Sequence, residues 1–114
     1  YDAYYKKAAQ IRRMVREDYQ RVLAACDAVI APVSPVTAWK KGESGDDPMT
    51  TYLKDIFTVS QNIAGLPAIA FPVGLAEGLP VGMQLVGSPY AEADLLSMAQ
   101  PLFARLGNIG KPGL

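Results

Sequence analysis

From Tyr1 to Cys26 the apolar positions recur at steps of three and four: Tyr4, Ala8, Ile11, Val15, Tyr19, Val22 and Cys26. That spacing draws one stripe along a helix, and no glycine or proline interrupts it. Ala28-Val29-Ile30-Ala31 is a short unbroken apolar run closed by Pro32, which predicts a strand buried on both faces. Pro32 and Pro35 then force an extended exit, and Trp39 to Gly45 reads as a polar loop. Asp47-Pro48 restarts a helix, with Asp47 as N-cap and Pro48 at the first helical position, where no donor is needed. Met49, Tyr52, Leu53, Ile56 and Phe57 form its apolar arc and carry it to about Phe57. Val59 to Pro67 shows no clean period. Ala68 to Val73 and Val81 to Val86 read as two strands of a hairpin around the turn residues Glu77-Gly78-Leu79-Pro80. Pro72 inside the first of them predicts an edge position or a bulge. A last helix, Ala91 to Leu106, carries its stripe on Leu95, Met98, Ala99, Leu102 and Leu106, with Pro101 a point where it can kink.

The order helix-strand-helix-strand-strand-helix predicts an α/β architecture, a sheet with helices packed on it. Three strands are few for such a layer, so the sheet is expected to be completed by sequence outside the chain. The first residues already read as helix, without an initiating Met or a Ser, Thr or Asn cap, as if cut from a longer protein. Residues 107–114, rich in glycine and proline, read as a frayed terminal tail behind a unit spanning 1–106.

Composition narrows the chemistry. Among 114 residues, half are hydrophobic and 19% are charged, as in a domain with a real core. Eleven basic residues balance eleven acidic ones, which argues against a dedicated nucleic-acid binder. The first helix holds Lys6, Lys7, Arg12, Arg13, Arg16 and Arg21, mostly off its stripe, which reads as a solvated face. There is no histidine, which removes His-based triads, general bases and metal sites. A lone cysteine, Cys26, excludes an intrachain disulfide and any thiolate cluster, and its place on the helical stripe predicts a small core residue. No apolar stretch is long enough to cross a membrane and no signal peptide is visible, which fits a cytoplasmic protein.

No phosphate loop, metal-ligand spacing or nucleophile elbow occurs, and none of Ser34, Ser44, Ser60, Ser88 and Ser97 has a recognisable base beside it. Asp55 is the unusual residue. At ~100° per residue it falls roughly 60° from Tyr52, on the border of the buried face. A carboxylate near a helix C-terminus opposes the macrodipole and wants a cation. Either a salt bridge or cap to a neighbouring loop, or a fixed anion facing a ligand ammonium, satisfies that demand. Gln61 and Asn62 read as side-chain hydrogen bonds holding the Gly65-Leu66-Pro67 turn.

The run Asn62-Ile63-Ala64-Gly65-Leu66-Pro67-Ala68-Ile69 resembles the amidase-signature family, as do Asp27 to Pro35, the first helix (Tyr1 to Ala8, Ile11, Arg12) and Leu79 to Gly87. Asp47-Pro48-Met49-Thr50-Thr51-Tyr52-Leu53-Lys54-Asp55-Ile56-Phe57-Thr58-Val59 is similar to its tRNA-dependent amidotransferase branch. The likeness covers about residues 1–106 and implies the C-terminal part of that family's mixed sheet, flanked by helices. It implies a parent that hydrolyses glutamine with a Ser–cis-Ser–Lys triad and passes ammonia to a partner subunit. Glu-tRNA(Gln) or Asp-tRNA(Asn) is amidated there with ATP and Mg²⁺. The partners implied are glutamine, subunits B and C of a heterotrimer, and charged tRNA. No Gly-Gly-Ser-Ser-Gly run is present, so no catalytic residue, cofactor or metal is assigned to this chain, which is expected to be inactive alone. Asp55 matches the aspartate that holds the α-ammonium of glutamine. Another amidase-signature hydrolase of small or fatty amides and a non-catalytic interaction domain are the alternatives.

Overall fold

A computed structural model describes residues 2–42, 48–106 and 109. Tyr1, Ser44 and Gly45 of the polar loop, the Asp47 cap and, except for Ile109, the 107–114 tail lie outside the described residues. The described elements are α1 (Asp2–Leu23), β1 (Val29–Pro32), α2 (Pro48–Lys54), α3 (Ile56–Ala64), β2 (Ala68–Ala76), β3 (Leu79–Val86) and α4 (Glu92–Leu106). The strands form one sheet in the order β1-β3-β2, with both pairings antiparallel. The expected α/β order is present; the expected mixed sheet shows only antiparallel pairs among the described strands.

The central strand β3 organises the packing because its alternate residues face opposite layers. Leu85 and Met83 join Phe71 and Ile69 beneath Leu95, Met98, Ala99 and Leu102 of α4. Val86 faces the other way and packs with Ala64, Leu66 and Val29 against Val15, Tyr19 and Leu23 of α1. At this end β3 is covered on both faces, by α4 and by the α1–α3 pair. A Leu or Phe fully buried there contributes about 1.5–3 kcal/mol.

The hairpin forms as the pattern predicts, with a tighter turn. Glu77 (φ 54°) and Gly78 (φ 79°) lie in the left-handed region, and Ala76 pairs directly with Leu79, so Leu79 and Pro80 belong to the strand. Two positive-φ residues match the right-handed twist of the flanking strands. Pro72 sits on an edge strand beside a bulge: Pro72 pairs with Gly82 and Gly74 with Val81, leaving Val73 extra. Helix α4 continues through Pro101, with Leu95 and Ala99 buried as its stripe requires, while Leu106 is exposed.

Four expectations are corrected. β1 is not buried on both faces among the described residues: it lies at an edge of the described sheet, and Ile30 is 56% exposed, while α4 packs on β2 and β3. The first helix ends at Leu23, so Cys26 falls in the following bend, exposed, with its thiol donating to Val22 O at 3.3 Å. Only the middle of the predicted stripe, Val15 and Tyr19, packs on the core; Leu23 joins it, while Tyr4, Ile11 and Val22 are exposed. The unpatterned Val59–Pro67 segment is helix α3 through Ala64. Gly65 closes it at φ 71°, ψ 42°, with Gly65 N bonding Asn62 O and Leu66 N bonding Gln61 O.

Gly87 gives a direct test of the α4 contact. A Cβ placed there meets Cγ and both Cδ atoms of Leu95 at 3.0–3.1 Å, and Leu95 is 2% exposed and has nowhere to retreat. Gly87→Ala is expected to lower unfolding free energy by about 1–3 kcal/mol. Gly74→Ala, which meets nothing within 4 Å, should stay within about 0.5 kcal/mol. Urea midpoints at constant m-value measure both.

Candidate functional site

Asp55 lies between two helices, not at the end of one. Lys54 ends α2, Asp55 is the turn residue, and Ile56 begins α3. Its backbone (φ −97°, ψ 3°) holds the N-cap position of α3, and its carbonyl accepts from Thr58 N at 2.9 Å, Val59 N at 3.1 Å and Thr58 Oγ1 at 3.1 Å. Main-chain and hydroxyl donors thus use the carbonyl. The carboxylate makes no capping bond, is exposed, and forms no ion pair among the described residues. This corrects the electrostatic expectation. The macrodipole of α3 presents its positive end to Asp55, so the charge is favoured at the start of α3 as well as opposed at the end of α2.

The neighbouring cation, Lys54, is turned away to an aromatic ring. Lys54 Nζ stands 3.9 Å from the centroid of the Trp39 ring. That contact ties the loop after β1 to the end of α2, and Pro35 and Val36 line a shallow hollow with Leu53 and Ile56. An exposed carboxylate at a helix N-terminus, flanked by an apolar hollow and an engaged lysine, is suited to receive an external cation.

Behind Asp55, the first turns of α3 are held by a buried amide chain. Gln61 and Gln84 are each 3% exposed. Gln84 Nε2 donates to Phe57 O at 2.7 Å and to Pro32 O at 3.0 Å, and Gln61 Nε2 donates to Gln84 Oε1 at 2.7 Å. Ser60 Oγ donates to Gln61 Oε1 at 3.2 Å, and Tyr19 Oη lies 2.8 Å from Ser60 Oγ. The direction of the chain follows from chemistry. Carbonyls only accept, so the Gln84 amide nitrogen must face Phe57 and Pro32. That leaves its oxygen for Gln61, whose own oxygen then takes the single serine proton, and Tyr19 must donate. No buried side-chain polar atom among the described residues lacks a partner.

The two amides expected to hold the Gly65-Leu66-Pro67 turn act differently. Their main-chain carbonyls hold it. The side chain of Gln61 instead reaches across to the sheet, and Asn62 Nδ2 donates back to Thr58 O at 2.8 Å. Arg12, predicted to lie on a solvated face, donates from Nε to Ile63 O at 2.9 Å, placing a cation on the last turn of α3. Arg13–Glu17 and Arg21–Asp18 are exposed pairs within α1, as a solvated face predicts. Ser34 accepts from Val36 N, and Ser97 donates to Ala93 O. Gln84 is not singled out by period or motif, although a lone amide inside the apolar run Val81-Gly82-Met83-Gln84-Leu85-Val86 is a signal of a buried polar contact. Among the described residues no group of three or more His, Cys, Asp or Glu side chains is placed to hold a metal, and no helix is long and apolar enough to cross a membrane.

The family model described as Amidase matches residues 1–96. The chain belongs to the amidase family. The chain is 52% identical over 114 residues to the A subunit of glutamyl-tRNA(Gln) amidotransferase from Nitratidesulfovibrio vulgaris, covering 98% of this chain and 23% of that protein. It is 51% identical over 109 residues to the protein of the same name from Oleidesulfovibrio alaskensis, covering 94% of this chain and 22% of that one. Among solved structures, the A subunit of glutamyl-tRNA(Gln) amidotransferase from Thermotoga maritima superposes with TM-score 0.86 and 41% identity, over all of this chain and 25% of that one. A structure described as an amidase superposes with TM-score 0.83 and 30% identity, over 94% of this chain and 26% of that one. The chain therefore spans about a quarter or less of the length of these amidase-family relatives. The expected family and its α/β architecture are both found.

The hydroxyl pair that ends the amide chain is open to measurement. A double-mutant cycle on Tyr19→Phe and Ser60→Ala, followed by urea unfolding, should give a coupling of about 1 kcal/mol. Strict additivity would show that α1 and α3 do not communicate through these hydroxyls.

Proposed function

We propose that this chain is the C-terminal portion of the glutamine-hydrolysing subunit of a tRNA-dependent amidotransferase, and that Asp55 binds the α-ammonium of glutamine. The observation that carries the reading is the state of Asp55. Its carboxylate sits at the N-terminus of α3, is exposed, and is spent on neither a cap nor an ion pair among the described residues. Identity of 51–52% to relatives named as the A subunit of glutamyl-tRNA(Gln) amidotransferase supports glutamine as the ligand.

In this reading Asp55 forms one side of a clamp on the zwitterionic end of glutamine. An arginine elsewhere in the full-length protein takes the α-carboxylate. Fixing that end leaves the side-chain amide to a Ser–cis-Ser–Lys triad on the rest of the protein, and the gain is one of orientation. The chain supplies no nucleophile and is inactive by itself. Ammonia passes to a partner subunit that amidates Glu-tRNA(Gln) or Asp-tRNA(Asn). ATP and Mg²⁺ serve that step and not this chain. The partners are subunits B and C and charged tRNA, in the cytoplasm.

The test is Asp55→Asn in the full-length protein assembled with its partners. The KM for glutamine should rise at least about tenfold, the loss of a charge-assisted bond. Amidation driven by added ammonium chloride, which bypasses glutamine, should continue at the wild-type rate. An unchanged KM and kcat/KM for glutamine would refute the role of Asp55.

A further inference from the structure

The carboxylate of Asp55 is only as well placed as the turn that carries it. That turn begins α3, and the first residues of a helix lack the carbonyl partners that hold its middle. Asp55 has no side-chain capping bond to fix it. The nearest anchor to the sheet is Phe57 O, two residues along, which accepts from Gln84 Nε2 at 2.7 Å. The same nitrogen holds Pro32 O at 3.0 Å, where the chain leaves β1 for the segment that reaches Trp39. Trp39 is in turn held over Lys54, next to Asp55. One buried carboxamide therefore ties down both segments that flank the carboxylate: the first turn of α3 and the exit from β1.

We propose that Gln84 is a positioning residue for Asp55, setting the location of its carboxylate through the paired donations to Phe57 O and Pro32 O. The proposal rests on the reading of Asp55 as the ammonium-binding group. Gln84 touches no ligand in it. Its place on β3, 3% exposed and paired in the sheet with Ala31 and Ala70, makes it the rigid reference against which the α2–α3 junction is set. The chemistry required is that of a double donor: a hydrocarbon fills the space and holds neither carbonyl, and a carboxylate turns acceptors towards acceptors.

The experiment compares two substrates in the full-length protein assembled with its partners. One is glutamine. The other is glutaramate, which is glutamine without its α-amino group and so cannot use Asp55. Gln84→Met should raise the KM for glutamine by about fivefold or more, since a small misplacement of a binding group is amplified in the bound geometry. It should leave kcat within about twofold and the KM for glutaramate unchanged. Asp55→Asn should show the same selectivity for glutamine. If Asp55→Asn is selective and Gln84→Met is silent, or weakens both substrates equally, Gln84 is merely structural and the proposal is overturned while the Asp55 reading stands. If Asp55→Asn itself shows no selectivity, that reading fails and the proposal fails with it. Should Gln84→Met not fold, Gln84→Asn is measured in its place. It keeps the head group on a stem one methylene shorter and should give the same glutamine-selective rise; an equal effect on both substrates overturns the proposal.

Discussion

Two main-chain carbonyls, Phe57 O and Pro32 O, dictate the polarity of everything buried between the sheet and α3. Neither can donate, so the Gln84 amide must, and every later link through Gln61, Ser60 and Tyr19 inherits its direction. The constraint reaches four elements: β1 through Pro32, β3 through Gln84, α3 through Phe57, Ser60 and Gln61, and α1 through Tyr19. The hydrophobic contacts of Val86, Ala64 and Leu66 with α1 bring these layers together without specifying a unique arrangement. The amide chain supplies that specification, because a shifted α3 would leave buried donors and acceptors unmatched, at about 1–3 kcal/mol for each.

Where local chemistry alone decides the structure, the sequence is informative. The Glu77-Gly78 turn, the bulge beside Pro72 and the Leu95–Ala99 stripe of α4 all follow from residue types and their periods. The family resemblance was also written in short runs of adjacent residues. What the pattern hid depends on long-range context. Ala28 to Ala31 is as apolar as a buried strand, yet β1 lies at an edge of the described sheet and Ile30 is exposed there. Gln61 and Asn62 broke the helical period of α3 because one of them is buried by a partner 23 residues away, which no local window contains. Cys26 kept the step of the stripe after the helix had ended at Leu23.

Asp55 shows how a site can be half legible. Its distance from Tyr52 on a helical wheel marked it as a border residue, and the structure keeps it exposed. The helix break at its own position was not visible, since no glycine or proline marks it. That break changes its electrostatics. A carboxylate opposed by the dipole of α2 is also favoured by that of α3, and the carbonyl absorbs the capping demand that would otherwise occupy the side chain.

A carboxamide is also a hydrolysable group, and this gives the buried position of Gln84 a chemical meaning beyond geometry. Conversion to glutamate would add a single oxygen-for-nitrogen exchange and leave the shape nearly unchanged. It would nevertheless set an acceptor oxygen, in place of the donor nitrogen, against the carbonyls of both Phe57 and Pro32. The packing of α1 and α3 over β3 keeps bulk water, the reagent for that conversion, away from the amide. The layers that the amide orients are thus the same layers that preserve it against ageing.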